Sequence, residues 1–370
     1  MKVVVVGNIA QSLVNFRGPL LRAMVERGHE VIAVGPEDDA HYAAKLRNLG
    51  VSYRVVPLER AGVNPLADLR FVAALSGLLR DLRPDVFLGY TIKPVIYGNI
   101  AARLAGVRSR SALITGLGYA FGGDSLKQRL VGRFIHLLYH LALSGTKVVF
   151  FQNPDDMNEF LRRGFVSPTK AALVAGSGVD LTLFRQSDPP APPIVFLLIA
   201  RLIREKGIEQ YVDAARALKQ IYPDARFQLL GPIDPNPTAV TPAEVEAWQE
   251  AGTIEYLGVT EDVRPYLRDA SVFVLPSYYR EGTPRTALEA LATGRPVITT
   301  DAPGCRETVV EGSNGFLVPV RDSVPLRQAM ERFLQDPTLV HRMGRASGEL
   351  ARTKFDVELV NAAMLARLDL

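Results

Sequence analysis

Two glutamates and the segment that holds them carry the strongest chemical signal in this 370-residue chain. Glu281 and Glu289 lie in the run SYYREGTPRTALEALATG, which follows an apolar stretch. The run predicts a helix with Thr283 as its cap, Pro284 at its first position and Gly294 at its end. Such a helix start offers backbone N–H groups to a phosphate, and carboxylates accept hydrogen bonds from sugar hydroxyls. The pattern favours a phosphate between polyols, as in a nucleotide sugar, over a surface helix with two solvated glutamates.

A second candidate site is the basic loop RLIREKG, which follows the apolar stretch 194–200. Arg201 offers a planar fork of donors and Lys206 a point charge, so both could bind a diphosphate. Together they could stabilise a departing nucleoside diphosphate without a metal. The alternative is a solvated basic loop that opens a helix, and Arg204 and Glu205 are expected to have that role.

A third loop, DAPGCRE, follows the apolar stretch 296–300. Gly304 would let the backbone approach a ligand closely, and Glu307 could accept hydrogen bonds from hydroxyls. Cys305 is expected to pack as a small apolar residue, because no histidine lies near it in sequence to activate the thiol. A plain strand-to-helix turn is the alternative for this loop.

Polar loops also follow apolar stretches in the first half of the chain. The loop that begins at Gly7 lacks the G-x-G-x-x-G pattern, which argues against a dinucleotide cofactor. Lys93, in the loop YTIKP, is either a ligand of an acceptor phosphate or a surface lysine. Thr115, Gly116 and Gly118 form a loop that could admit a bulky acceptor or be an ordinary turn.

Residues 98–147 contain seven lysines or arginines and one acid. A predicted helix in this segment places Leu126, Leu130, Phe134, Leu137 and Leu141 on one face. Its basic residues, Lys127, Arg129 and Arg133, could lie on an anionic membrane surface. The alternative is that the apolar face packs on the sheet, and both hold if only the basic edge meets lipid.

Short apolar strands alternate with helical patterns along both halves of the chain, which predicts parallel sheets covered on both faces. The proline-rich segment 186–193 predicts a stiff linker between two domains, residues 1–185 and 194–354. The predicted fold class is therefore α/β, with two doubly wound, Rossmann-like domains that face a central cleft. Ligands of such sheets bind beyond the carboxyl ends of the strands. These arguments do not assign the final helix, residues 355–370, to either domain.

The bulk composition narrows the class of protein. A formal charge of +4 is too small to indicate nucleic-acid binding, and a single cysteine excludes an intrachain disulfide. The N-terminal apolar run lacks the length and flanks of a signal peptide, and no apolar run reaches the length of a membrane span. We therefore expect a cytoplasmic protein, peripheral on the inner face of the cell membrane, without a metal or other cofactor.

The motifs resemble those of family-four retaining glycosyltransferases with the GT-B fold, over essentially the whole chain. Glu281 and Glu289 resemble that family's paired glutamates, and Arg201 with Lys206 resembles its diphosphate-binding pair. The loops YTIKP and ITGLG resemble those of a bacterial subgroup that builds surface polysaccharides and lipid-linked oligosaccharides. The resemblance implies transfer of a hexose or N-acetylhexosamine, from a UDP-sugar in preference, to a polyprenyl-diphosphate-linked or similar membrane-bound acceptor.

The same resemblance implies roles for individual residues. Glu281 would contact donor-sugar hydroxyls, Glu289 would hold the ribose, and the loop of Gly7 would approach the donor from the other domain. The base would be held by backbone near Gly258, and the final helix would cross back onto the N-terminal domain. The remaining donor-site residues are Gly282, Thr283, Arg285, Thr286, Gly304, Cys305 and Glu307.

One departure from the family pattern is Pro284, which has no N–H to offer a phosphate, so Thr283, Arg285 or Thr286 must supply it. The family's histidine is also missing from the loop at Thr115, so no catalytic base is nominated. Two other functions remain open at this point: a nucleotide-sugar epimerase on a similar fold, and a non-catalytic nucleotide-sugar-binding partner.

Overall fold

The computed structural model describes residues 1–59, 64–117, 126–234 and 239–370, and for residues 126–134 it describes the backbone alone. Within these ranges the chain divides into two compact units. Unit 1 contains residues 1–177 and 358–370, and unit 2 contains residues 178–357.

Unit 1 is built on a seven-stranded sheet with the order β3-β2-β1-β4-β5-β6-β7, whose described pairings are all parallel. Its strands are β1 (Lys2–Val6), β2 (Glu30–Gly35), β3 (Ser52–Val55), β4 (Val86–Tyr90), β5 (Ser109–Ile114), β6 (Val148–Phe151) and β7 (Ala171–Leu173). Its helices before residue 178 are α1 (Ala10–Asn15), α2 (Gly18–Glu26), α3 (Ala40–Asn48), α4 (Pro65–Leu82), α5 (Asn99–Leu104), α6 (Leu126–Leu143) and α7 (Pro154–Arg162).

The all-valine strand β1 explains why this sheet is buried on both faces. Val3 and Val5 lie in one hydrophobic cluster, whereas Val4 and Val6 lie in another. Because successive side chains of a strand point to opposite faces, an uninterrupted apolar run is what a doubly covered sheet requires.

Unit 2 repeats this architecture with a six-stranded parallel sheet in the order β10-β9-β8-β11-β12-β13. Its strands are β8 (Val195–Ile199), β9 (Arg226–Leu230), β10 (Glu255–Tyr256), β11 (Val272–Leu275), β12 (Val297–Thr300) and β13 (Gly315–Val318). Its helices are α8 (Ile208–Lys219), α9 (Pro242–Glu250), α10 (Arg264–Asp269), α11 (Arg285–Ala292), α12 (Ser323–Gln335) and α13 (Thr338–Leu350). Two parallel sheets covered by helices confirm the α/β class with two Rossmann-like domains.

The proline-rich segment 186–193 contains neither helix nor strand and lies inside unit 2. Ser187 N donates to Thr293 O at 3.2 Å, and Arg295 Nη2 donates to Ser187 Oγ at 2.7 Å. The segment is therefore fastened to unit 2 at this end.

The last helix, α14 (Val357–Leu368), belongs to unit 1 from Glu358 onward. Four of its side chains are buried in the cluster that contains Val3 and Val5: Val360, Met364, Leu365 and Leu368. Arg27 Nη1 also donates to Leu370 O at 2.7 Å. The final helix thus returns to the N-terminal domain, as the family resemblance implied.

Candidate functional site

The carboxyl edge of the unit 2 sheet has a switch point between β8 and β11, where the strand order changes direction. Such a point is where open α/β sheets bind ligands. The loops that follow these two strands are joined by backbone hydrogen bonds from Tyr278 N and Tyr279 N to Glu205 O, at 2.8 and 3.1 Å. Gly207 has φ +76°, and a Cβ there would lie 2.1 Å from Pro276 O, so only glycine allows the loops to come this close.

Two of the predicted catalytic residues meet across this switch point. Lys206 Nζ lies 2.6 Å from Glu281 Oε1, and each side chain is 12% exposed. Ser277 Oγ donates to the same carboxylate oxygen at 2.9 Å, and Lys206 Nζ lies 5.7 Å from the centroid of the Tyr279 ring. The arrangement is a partly buried, charge-assisted hydrogen bond whose two charges lie where a ligand would bind.

Arg201, the second predicted cation, lies on the same loop but has a different partner. Its Nη1 lies 2.8 Å from Asp234 Oδ2, and its side chain is 50% exposed. Asp234 follows β9 and was not among the predicted site residues. Arg204, on the same loop, forms ion pairs with Glu209 and Glu244.

Helix α11 begins at Arg285, and its N-cap is Pro284, with φ −66° and ψ 118°. The N-cap position is occupied by Pro284, which makes no side-chain cap hydrogen bond, so the prediction that Thr283 is the N-cap residue is wrong. Pro284 is extended rather than helical, which places Thr283 one residue too early for the capping position. The predicted helix end is confirmed, since Gly294 has φ +80° and its N–H donates to Leu291 O at 2.9 Å.

The first turn of α11 holds an ion pair between two predicted donor-site residues. Arg285 Nε lies 2.7 Å from Glu289 Oε1, an i,i+4 pair on one helix face. Glu289 is buried, and its burial raises the pKa of the carboxyl, a rise that the Arg285 charge opposes. Thr286 is half-buried on the same turn, and Gly282 and Thr283 are buried just before it.

The loop after β12 packs against the glutamate loop. Gly304 has φ +80°, and a Cβ there would lie 1.7 Å from Gly282 O and 2.7 Å from Glu281 O. The close approach that demands this glycine is therefore to protein backbone. Cys305 is buried, as expected of a small packing residue, and burial raises the pKa of its thiol to about 12.

Two further predicted donor-site residues lie on other loops of unit 2. The Glu307 carboxylate lies 3.6 Å from Lys354 Nζ, which also donates to Glu307 O at 2.9 Å. Gly258 follows β10 with φ +75°, and its carbonyl accepts a hydrogen bond from Gly231 N at 2.9 Å.

In unit 1 the switch point lies between β1 and β4, and Gly7 lies directly beyond β1. A Cβ on Gly7 would lie 2.4 Å from the Tyr90 hydroxyl, which is itself 2.7 Å from Ser12 Oγ. Glycine is thus required for the loop to pass over a buried tyrosine. Tyr90 and Ser12 were not among the predicted site residues.

Lys93 is neither exposed nor free on the unit 1 surface. Its Nζ lies 2.8 Å from Asp68 Oδ1, and Asp68 is buried. The alternative of a surface lysine is therefore wrong, because the ammonium group is held by a carboxylate from α4. Thr115 and Gly116 follow β5 at the same sheet edge, and Gly118 lies outside the described residues.

Helix α6 exposes part of its predicted apolar face. Leu137 and Leu141 are 54% and 44% exposed, whereas Tyr139, Ala142 and Leu143 are buried in the unit 1 core. The alternative that the predicted apolar face packs on the sheet is therefore wrong for these two leucines. The side chains of Lys127, Arg129 and Arg133 lie outside the described residues. No helix in the described ranges is long and apolar enough to cross a membrane.

Both halves of the chain match family models of glycosyltransferases. Residues 17–176 match the family model "Glycosyl transferase 4-like domain", and residues 193–336 match the model "Glycosyl transferases group 1". The chain is 30% identical to the N,N'-diacetylbacillosaminyl-diphospho-undecaprenol alpha-1,3-N-acetylgalactosaminyltransferase of Campylobacter jejuni, with 100% of this chain and 98% of the relative covered.

Another relative is the UDP-Gal:alpha-D-GlcNAc-diphosphoundecaprenol alpha-1,3-galactosyltransferase of Escherichia coli, 27% identical over 77% of this chain and 75% of the relative. Among solved structures, HepE of Anabaena in complex with UDP and glucose superposes with a TM-score of 0.79 at 18% identity. That match covers 100% of this chain and 99% of HepE.

Proposed function

Because this chain belongs to the family-four glycosyltransferases and has their GT-B fold, we propose that it transfers a hexose or N-acetylhexosamine from a UDP-sugar with retention of the anomeric configuration. The bond from the anomeric carbon to the diphosphate oxygen breaks, and a bond to an acceptor hydroxyl oxygen forms on the same face. UDP leaves, and the proton of the acceptor hydroxyl passes to the departing diphosphate oxygen.

The observation that carries this proposal is the pair of Lys206 and Glu281 at the switch point, with 2.6 Å between Nζ and Oε1. In the proposed complex the ammonium group turns to the diphosphate, and the carboxylate accepts hydrogen bonds from sugar hydroxyls. Arg201 shares the diphosphate charge, and Glu289 holds the ribose. Two protein cations then stabilise the leaving group, so the proposed reaction requires no metal.

The proposed acceptor is a glycan on a polyprenyl diphosphate. The curated relatives in Campylobacter jejuni and Escherichia coli both have a diphospho-undecaprenol acceptor in their names. In unit 1, Lys93, Thr115 and Gly116 follow neighbouring strands at one sheet edge and could contact such an acceptor. Lys93 would then have to exchange its contact with Asp68 for the acceptor phosphate.

A thermal-shift titration with UDP, with GDP and with EDTA tests the donor half of this proposal. UDP that binds the folded state at about a hundred times its Kd should stabilise it by about 2.7 kcal/mol. We expect UDP to raise the melting temperature of the wild type, EDTA to leave that rise unchanged, and Glu289→Gln to abolish it. Glu246→Gln removes an exposed carboxylate from α9 and should leave the rise intact.

The melting temperature of unliganded Glu289→Gln shows whether a missing response to UDP reflects lost binding or lost folding. A raised carboxyl pKa means that the folded state binds this proton more tightly than the unfolded state does. The stability contributed by the group is thus complete below its unfolded pKa and falls as the pH rises through the folded value. A neutral glutamine removes that loss, so the unliganded variant should melt at or above the wild-type temperature at pH 7. A wild type that UDP does not stabilise would contradict the donor assignment.

We further propose that α6 holds the protein on the inner face of the cell membrane, where a lipid-linked acceptor lies. The exposed Leu137 and Leu141 support this, since exposed apolar side chains on a helix whose sequence also contains basic residues favour an anionic surface. Sedimentation with anionic vesicles should fall several-fold in the double variant Leu137→Gln and Leu141→Gln. The control is the double variant Leu183→Gln and Val310→Gln. It changes two apolar residues of unit 2 that are at least as exposed as Leu137 and Leu141. Equal sedimentation of the two double variants would contradict the assignment of α6.

A further inference from the structure

Each of the three cationic side chains in the proposed donor site contacts a carboxylate at a similar distance. The pairs are Lys206 Nζ with Glu281 Oε1 at 2.6 Å, Arg285 Nε with Glu289 Oε1 at 2.7 Å, and Arg201 Nη1 with Asp234 Oδ2 at 2.8 Å. These pairs carry no net charge. A nucleoside diphosphate must therefore compete with carboxylates for the cations that bind it.

Asp234 differs from the other two carboxylates. In the proposed function Glu281 and Glu289 accept hydrogen bonds from hydroxyls of the sugar and the ribose. Asp234 has no such role, and it contacts the cation that would bind the diphosphate.

Backbone contacts hold the loop of Asp234 next to the loop of Arg201. Gly231 has φ +143°, and a Cβ there would lie 1.9 Å from Ala200 O, so the two loops touch directly. Leu202 N donates to Pro232 O at 2.9 Å and adds a second contact between them. The backbone that leads to Asp234 is therefore held against the loop of Arg201.

The exposures of Arg201 and Asp234 allow Arg201 to exchange its contact with Asp234 for a contact with a ligand. The Arg201 side chain is 50% exposed, whereas that of Asp234 is 13% exposed. The guanidinium group can turn to a ligand at the cost of a half-exposed ion pair, and such pairs contribute little. The less exposed Asp234 carboxylate then attracts the Arg201 guanidinium again when the ligand leaves.

We propose that Asp234 is a positioning residue that competes with the donor diphosphate for Arg201, weakening the binding of UDP and favouring its release. This inference rests on the proposed function, because it requires a diphosphate at Arg201. It adds a residue from the loop after β9 to a donor site otherwise assigned, within unit 2, to the loops after β8, β10, β11 and β12.

Titration calorimetry of the full chain with UDP tests this inference. Asp234→Asn should lower the Kd for UDP about two- to fivefold, as expected for a half-exposed ion pair. The same change in an Arg201→Gln background should have no effect, because the guanidinium for which carboxylate and diphosphate compete is then absent. Asp234→Glu keeps the charge and should bind UDP as the wild type does. The control, Asp213→Asn, removes an equal charge from an exposed ion pair with Arg216 on α8 and should leave the Kd unchanged.

The outcomes separate this inference from the function on which it rests. If the wild type binds UDP and Asp234→Asn binds it equally or more weakly, competition is overturned and the donor site stands. An equal gain in the Arg201→Gln background would show that Asp234 acts on UDP without Arg201, which also overturns it. A wild type that binds no UDP would overturn the proposed function and this inference together.

Discussion

Replacement of Lys206 by alanine is expected to lower kcat/KM for sugar transfer by about 10²- to 10³-fold, the usual effect of removing one preorganised charge from a transition state. Negative charge grows on the diphosphate as the sugar leaves, and Lys206 is the less exposed of the two cations proposed to meet it. The loss should fall mainly on kcat, because the ground-state diphosphate is also bound by Arg201. Steady-state kinetics with a UDP-sugar and a lipid-linked acceptor measure this.

Lys219→Ala is the matched control, since Lys219 lies in α8 of the same unit and its Nζ donates only to the Pro223 carbonyl in the described contacts. It should retain wild-type kinetics. A Lys206→Ala variant with raised KM and unchanged kcat would contradict the proposed role, because it would show that Lys206 binds substrate and transition state equally. The melting temperature of the unliganded variant must be measured as well, since Glu281 loses a partner.

Replacement of Arg295 by methionine is expected to destabilise unit 2 by about 3–5 kcal/mol, because several buried oxygens lose their donor and each unsatisfied buried group costs about 1–3 kcal/mol. Arg295 is fully buried, and it donates Nε to Leu267 O at 2.8 Å and Nη2 to Arg268 O at 3.1 Å. It also donates to Ser187 O and Ser187 Oγ at 3.0 and 2.7 Å. Burial lowers the pKa of the guanidinium to about 10, so it stays charged at neutral pH.

Methionine fills much of the same space but leaves these oxygens without their donor, and buried oxygens without a donor are costly. Urea unfolding followed at several protein concentrations measures the loss. Arg216→Met changes an exposed arginine of α8 and should shift stability by less than about 0.5 kcal/mol. A loss for Arg295→Met as small as that of the control would show that the segment at Ser187 is held without this network.

The predictable part of the fold was the interior of the sheets. The apolar stretches 194–200 and 296–300 contain the strands β8 and β12, because a sheet covered on both faces requires short runs of buried residues. The two strands absent from the prediction are β7 and β13, which lie at sheet edges. β13 begins at Gly315, where a Cβ would lie 1.7 Å from Val297 O. A glycine that a tertiary contact requires weakens the local strand pattern, so the sequence does not indicate a strand at β13.

In the site, residue types and spacing identified the cations and the glutamates but not their partners. Lys206 and Glu281 were each assigned to a ligand, and their contact with one another depends on which strands are neighbours. Asp234 and Asp68 carry no local motif, and each becomes significant only because the fold brings it to a cation. Partners far apart in sequence are set by tertiary structure, which a single sequence does not display.

The position of α14 has a consequence for how the protein is made. The ribosome completes unit 2 before it has synthesised Val360, Met364, Leu365 and Leu368, which are buried in the core of unit 1. The first 177 residues therefore wait with an unfilled apolar surface while 180 later residues emerge and can fold as a separate unit. Domains usually fold in the order of their synthesis. Here the part of the chain that is made first is the part that finishes last, and its exposed surface in the meantime is a natural substrate for a chaperone.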